Sequence, residues 1–168
     1  MRTFTRLSML RGTCDRLGCM NLDWMAGFFD GEGSVSLQIY RSTSHRCGYG
    51  FAPRVSIAQK KRGVLDEIEN ILQIGHVYRG SRSTWRMEVR DRAELIKFCS
   101  LFLNRVRLKR TQLALLRKAI LLLQDRKAKI LSKELSIRLV ETAQQIRHLN
   151  DHARNRHTDP VKVRRSLV

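Results

Sequence analysis

The chain has 168 residues, 33 of them Lys or Arg against 15 Asp or Glu, which gives a net charge of +18 and a pI near 11.0. That surplus favours nucleic acid as the first partner and an anionic membrane surface as the second. No apolar run reaches the roughly 18 residues that span a bilayer, so we expect a soluble intracellular protein without a membrane partner. Composition does not distinguish a prokaryotic cytoplasm from an organelle. The four cysteines show no CxxC pair or zinc-ligand spacing.

The length suits one domain with a real core. We expect that domain over residues 21–155, preceded by a basic N-terminal arm over 1–20 and followed by a basic C-terminal tail over 156–168. The arm is rich in Arg with one acid, Asp15. It fits a disordered arm, an organellar transit peptide, or a leader with no role.

The first predicted helix follows Asn21, a residue type that commonly caps helix N-termini, and carries Asp23 in its first turn. Gly31 and Gly33 close this stretch. Because glycine adopts positive φ angles readily, we expect these two residues to end the helix and turn the chain into a strand.

The same helix carries a strip of small residues. Gly27 and Gly31 are four positions apart, with Ala26 beside them, so a second helix backbone could approach closely. The carboxylates of Asp30 and Glu32 lie where the helix leaves that strip.

A basic hairpin is predicted next. Residues 34–41 alternate apolar and polar side chains, and a second strand from Phe51 to Ala58 does the same. No acidic residue occurs from Val35 to Arg62. A two-stranded ribbon with a cationic outer face fits the DNA major groove, although an ordinary amphipathic hairpin would show the same alternation.

A helix over 63–74 and a second hairpin over 76–89 follow, with Trp85, Met87 and Val89 predicted to point inward. The pattern indicates an α+β fold with one four-stranded antiparallel sheet. The remainder is predicted to be helical over 93–103, 108–123 and 132–150.

The segment Met25–Gly33, with the sequence MAGFFDGEG, resembles the nine-residue signature of the LAGLIDADG homing endonucleases. It has Met for the first Leu, Phe-Phe for Leu-Ile, Gly for Ala and Glu for the second Asp. An amphipathic helix with a glycine cap is the simpler alternative. The chain has one copy, as in the single-motif, homodimeric members, and the resemblance extends over roughly 21–155. It implies an α-β-β-α-β-β-α unit with a DNA-binding sheet and extra C-terminal helices.

The resemblance also implies active-site residues, namely Glu32, Gln59, Arg62 and Lys109, although the spacing leaves Lys61 in place of Arg62 open. Glu32 and the Gly31 carbonyl would hold Mg²⁺ or Mn²⁺, because a hard cation prefers oxygen ligands. Asp30 is expected to have a structural role at the helix end.

One motif per chain implies a homodimer, with Ala26, Gly27, Asp30 and Gly31 at its interface, and staggered cuts in a long pseudo-palindromic site. The expected partner is double-stranded DNA. Residues expected to contact it are Ser36, Gln38, Tyr40, Arg41, Arg54, Ser56, Tyr78, Arg79, Arg82, Thr84, Arg86 and Glu88.

Two other functions fit the same scaffold, an RNA-binding intron maturase and a DNA-binding protein without catalysis. Basic charge alone does not distinguish DNA from RNA. The presence of Glu32, Gln59 and Lys109 together favours the endonuclease, because neither alternative needs them.

Overall fold

A computed structural model describes residues 20–43, 45, 47–81, 83–124, 132–150 and 160–167. The predicted arm, apart from residue 20, and Arg82 lie outside the described residues. The elements in chain order are α1 (Leu22–Glu32), β1 (Gly33–Arg41), β2 (Tyr49–Gln59), α2 (Arg62–Leu72), β3 (His76–Arg79), β4 (Trp85–Val89), α3 (Arg92–Phe102), α4 (Arg110–Gln124), α5 (Lys133–His148) and α6 (Pro160–Leu167).

The four strands form one antiparallel sheet in the order β1-β2-β4-β3. In its register Val35 lies opposite Val55, which in turn lies opposite Val89 on β4. The α+β class, the single four-stranded sheet and the flanking helices are therefore as the sequence predicts.

The apolar side chains of the strands form one face of the sheet, as period-2 alternation requires. Val35 and Val55 are almost completely buried there, together with Phe29 of α1 and Leu113 and Leu116 of α4. Removal of this apolar surface from water is the main force that holds helices and sheet together. The polar side chains of the strands consequently lie on the opposite face.

Side-chain caps fix where three helices begin. The Asn21 side chain accepts a hydrogen bond from the Trp24 N–H at 2.8 Å, and the Ser132 hydroxyl accepts one from Leu135. Both residues stand at the predicted positions. Asp91 caps α3 in the same way, and each such cap satisfies N–H groups that have no partner inside the helix.

The end of α1 differs from the prediction. Gly33 has φ −77° and ψ 160°, an extended conformation, and among the described glycines only Gly48 and Gly75 have positive φ. The expectation that Gly31 and Gly33 would take positive φ was therefore wrong. Glycine is required at position 33 for another reason, since an added Cβ would overlap the Phe29 ring and carbonyl oxygen.

The C-terminal end also differs from the predicted basic tail over 156–168. Residues 160–167 form α6, whose Val163 is fully buried. An ion pair of 3.1 Å joins Arg164 to Glu141 of α5. Within the described residues, no helix is both long and apolar enough to cross a membrane.

Candidate active site and nucleic-acid interface

The end of α1 is joined to the start of α4 by a dense set of hydrogen bonds. The Asp30 carboxylate accepts from the backbone N–H groups of Arg107 at 2.6 Å, Leu108 at 3.2 Å and Lys109 at 3.0 Å. The Lys109 ammonium donates to the backbone carbonyl of Asp30. These bonds hold the ammonium group of Lys109 beside the last turn of α1.

Glu32 ends that turn and is exposed to solvent. Its carboxylate has no hydrogen bond or ion pair with any residue that the structure describes. Gln59 ends β2, and the pairing of Gly33 with Ile57 brings this end of β2 beside the start of β1. Glu32, Gln59 and Lys109 thus lie around one corner of the fold, where α1, β2 and α4 meet.

Arg62 lies at the start of α2 and its guanidinium is already engaged. Its Nε is 3.0 Å from Asp66, and its guanidinium carbon is 4.7 Å from the centre of the Trp85 ring. Both contacts favour the observed position, as an i,i+4 ion pair and a cation–π interaction. The neighbouring Lys61 side chain has no partner among the described residues, so it is the freer of the two cations.

The oxygen atoms near Glu32 suit a magnesium ion for which the protein supplies only some of the ligands. No group of three or more His, Cys, Asp or Glu in the described part of the chain could hold a metal ion. Mg²⁺ is commonly bound by one or two carboxylates together with waters and substrate phosphates. The free carboxylate of Glu32 fits that role, as does the carbonyl of Gly31, because the last turn of a helix leaves carbonyls without an intrahelical partner.

A second feature is the exposed side of α1, which we call the α1 face and define by Trp24, Gly27, Phe28 and Gly31. Gly27 and Gly31 are open, with no atom within 4 Å of an added Cβ. The rings of Trp24 and Phe28 stack at 5.0 Å, and Trp24 is 44% exposed. Ala26 does not belong to this face, since it is buried in the core.

Sequence reasoning overlooked the two aromatic residues of the α1 face. Trp24 and Phe28 are four positions apart, as are Gly27 and Gly31, so all four share one side of a helix. That spacing was a usable signal. Trp24 is exposed and Phe28 is half-buried, and such an aromatic pair next to bare backbone favours burial against another surface.

The outer face of the sheet presents most of the side chains predicted to bind DNA. Those exposed or half-buried there are Ser36, Gln38, Tyr40, Arg54, Tyr78, Thr84 and Arg86. Arg41 and Arg79 are exposed at the ends of β1 and β3, but they alternate in phase with the inward-facing Ile39 and Val77 and so do not belong to the outer face. Ser56 and Glu88 are buried instead, so the expectation that both side chains would be open to DNA was wrong.

Glu88 is buried by the basic and phenolic groups around it. One carboxylate oxygen is 2.8 Å from Arg54, and the other is 2.6 Å from Arg90 and accepts from the Tyr78 hydroxyl at 2.8 Å. Burial alone would raise the pKa of Glu88, but the hydrogen bonds from Tyr78 and Arg90 and the charges of Arg54 and Arg90 lower it. Burial and the hydrogen bond to Glu88 raise the pKa of Tyr78.

Comparison with known proteins agrees with this fold. A family model described as LAGLIDADG endonuclease matches residues 25–120, and the chain belongs to this family. The expectation drawn from the signature is therefore confirmed. No curated protein matches the sequence.

Solved structures with the same fold cover most of the chain. The homing endonuclease I-CvuI, in complex with its target, is 23% identical, with a TM-score of 0.77 over 87% of this chain and 91% of its own. The archaeal intron-encoded homing endonuclease I-Vdi141I, in complex with DNA, is 24% identical, with a TM-score of 0.78 over 87% and 93%. The homing endonuclease I-TnaI is 23% identical, with a TM-score of 0.68 over 80% and 99%.

Proposed function

We propose that this protein is a site-specific homing endonuclease that acts as a homodimer and makes metal-dependent, staggered double-strand cuts in DNA. The observation that carries the proposal is Glu32, an exposed carboxylate without a partner among the described residues, at the end of the family's signature helix. Asp30 holds Lys109 beside the last turn of that helix. Structures of I-CvuI with target DNA and Ca or Mg, and of I-Vdi141I with DNA, support a nucleic-acid partner and a divalent ion.

Each candidate residue has a chemical task in phosphodiester hydrolysis. A bound Mg²⁺ or Mn²⁺ would activate water and neutralise charge on the phosphate. Glu32 and the Gly31 carbonyl would hold the ion. Lys109 would place its positive charge where negative charge develops, since the Asp30 carbonyl fixes its ammonium. Gln59, with Arg62 or Lys61, would order water near the scissile phosphate.

A dimer explains how one motif serves two DNA strands. Each protomer has one Glu32, and packing of two α1 faces on a two-fold axis would bring the two carboxylates together, one for each strand. Two-fold symmetry implies a pseudo-palindromic target. The nine residues of β1 span about 30 Å at ~3.3 Å per residue, which corresponds to roughly nine base pairs per half-site at ~3.4 Å each.

A cleavage selection tests the proposal. The purified full chain is incubated with Mg²⁺ and a library of randomised pseudo-palindromic duplexes, and the cut ends are sequenced. We expect double-strand breaks with a constant stagger at one long site, abolished by EDTA. Tight DNA binding without cuts would instead identify a DNA-binding protein. An absence of both would favour the RNA-binding maturase.

A further inference from the structure

A polar network crosses all four strands on the outer face of the sheet. Arg54 of β2 donates through Nε to the Ser36 hydroxyl of β1 at 3.4 Å, and its other end pairs with Glu88 of β4 at 2.8 Å. Glu88 then accepts from Tyr78 of β3 and pairs with Arg90, just beyond β4. The register of the sheet makes this possible, because Ser36 lies opposite Arg54 in the β1–β2 pairing. The strand order then places β4, with Glu88, between β2 and β3.

Glu88 is the only acidic residue in the four strands, all of which are described. Its side chain is 3% exposed, whereas those of Arg54 and Arg90 are 21% and 70% exposed. The carboxylate therefore lies beneath the two guanidinium groups that face outward. A buried acid in that position cannot reach a DNA base, but it determines where both arginines stand.

The arrangement leaves the arginines able to bind. Arginine has five N–H donors in a rigid fork. Arg54 uses Nε for Ser36 and one terminal nitrogen for the ion pair with Glu88, and its remaining donors have no partner among the residues that the structure describes. Without the carboxylate, the positive charges of Arg54 and Arg90 would repel each other. Both side chains would also sample many rotamers, and DNA binding would have to order them again.

We propose that Glu88 is a positioning residue for sequence discrimination, which holds Arg54 and Arg90 in the orientation that reads guanine edges without touching DNA itself. The inference rests on the proposed function, since it requires a DNA-reading sheet. An arginine that pairs with guanine through two hydrogen bonds discriminates against other bases by 1–3 kcal/mol, a factor of roughly 5 to 150. Loss of its orientation should remove much of that factor at the base pairs it reads.

The test measures how strongly each variant discriminates between DNA targets, in addition to its cleavage rate. Cleavage rates are compared for wild type and Glu88→Gln on the selected target and on a set of targets with each half-site base pair changed in turn. We expect the preference to fall about tenfold at one or two adjacent positions in each half-site and to persist elsewhere. Glu67→Gln, which removes the same charge from an exposed position of α2, should keep the wild-type profile.

Further variants separate positioning from direct contact and from a general structural role. Positioning predicts that Glu88→Gln adds little to Arg54→Gln at the base pairs that Arg54→Gln alone affects, and that Glu88→Asp, which keeps the charge, restores part of the preference. Additive effects of the double variant at those base pairs would overturn the proposal, because they mean that Glu88 acts there without Arg54. A uniform loss of rate with an unchanged profile would overturn it as well.

Two further outcomes are informative. If Glu88→Gln does not fold, Tyr78→Phe removes one hydrogen bond and no charge, and should weaken the preference at the same positions by a smaller factor. An unchanged profile in that variant would contradict the proposal. If the wild type itself shows no preference among DNA targets, the proposed function fails, and the positioning role fails with it.

Discussion

Asp30 and Lys109 are joined by reciprocal hydrogen bonds across 79 positions of sequence. The Asp30 carboxylate accepts from the Lys109 N–H at 3.0 Å, and the Lys109 ammonium donates to the Asp30 backbone carbonyl. The Asp30 side chain therefore holds the turn that precedes α4, and the Asp30 backbone carbonyl orients the candidate catalytic lysine.

Asp30→Ala should reduce both stability and cleavage. The variant leaves three backbone N–H groups without their acceptor, which costs about 1–2 kcal/mol in the free energy of unfolding, measured by urea denaturation. Asp91→Ala is the matched control, because Asp91 caps α3 by accepting from Ala93 and Glu94. We expect similar destabilisation but retained cleavage in the control. Equal cleavage in the two variants would contradict a role for Asp30 in holding Lys109.

Two glycines should respond oppositely to alanine. At Gly33 a Cβ would overlap the ring and carbonyl oxygen of Phe29, so Gly33→Ala should lower the free energy of unfolding by about 1–3 kcal/mol. At Gly63, on α2, an added Cβ meets nothing within 4 Å, and Gly63→Ala should stabilise by about 0.5–1 kcal/mol. Chemical denaturation measures both. A Gly33→Ala variant as stable as wild type would disprove the packing constraint.

The α1 face should control dimer formation. Gly27→Leu adds bulk where the protomer itself has open space, so the variant should fold. It should also keep another helix from approaching closely, raising the dimer Kd by at least about tenfold. Sedimentation equilibrium measures that constant, with Gly63→Leu as a control on an exposed position of α2. Unchanged dimerisation of Gly27→Leu would place the interface elsewhere.

The stability that Glu88 provides should depend on pH. Its pKa in the folded state is below the ordinary value of 4.5. A group of this kind stabilises fully above its unfolded pKa, and the contribution disappears as the pH falls through the folded pKa. The free energy of unfolding of wild type should exceed that of Glu88→Gln by about 2 kcal/mol near neutral pH and by less at an acid pH below 4.5. An equal difference at both pH values would show that ionisation is irrelevant.

The sequence predicted the features that follow from local periodicity and capping. Alternation in residues 34–41 and 51–58 was enough to assign the strands and their faces. Asn21 and Ser132 marked helix starts because their side chains can replace a missing backbone partner. The helix α6 was not foreseen, because its 8 residues are too few to show a helical period and include the basic Lys162, Arg164 and Arg165.

The remaining differences depend on tertiary contacts. Alternation placed Glu88 on the outer face, but only the sheet register brings Arg54 and Tyr78 close enough to bury it. Likewise, the contact of Arg62 with Trp85 requires the fold to bring α2 against β4. Ala26 was assigned to the strip of small residues because its side chain is small, although that side chain points from α1 into the core.

The most direct test of the account compares Glu32→Gln with Glu67→Gln, both exposed glutamates on helices. DNA binding is measured in Ca²⁺ and cleavage in Mg²⁺ on the same target. We expect Glu32→Gln to bind but to cut at least about a hundredfold more slowly, because metal-assisted stabilisation contributes several kcal/mol, while Glu67→Gln cuts normally. Cleavage by Glu32→Gln at the wild-type rate would contradict the assignment of Glu32 as the metal ligand.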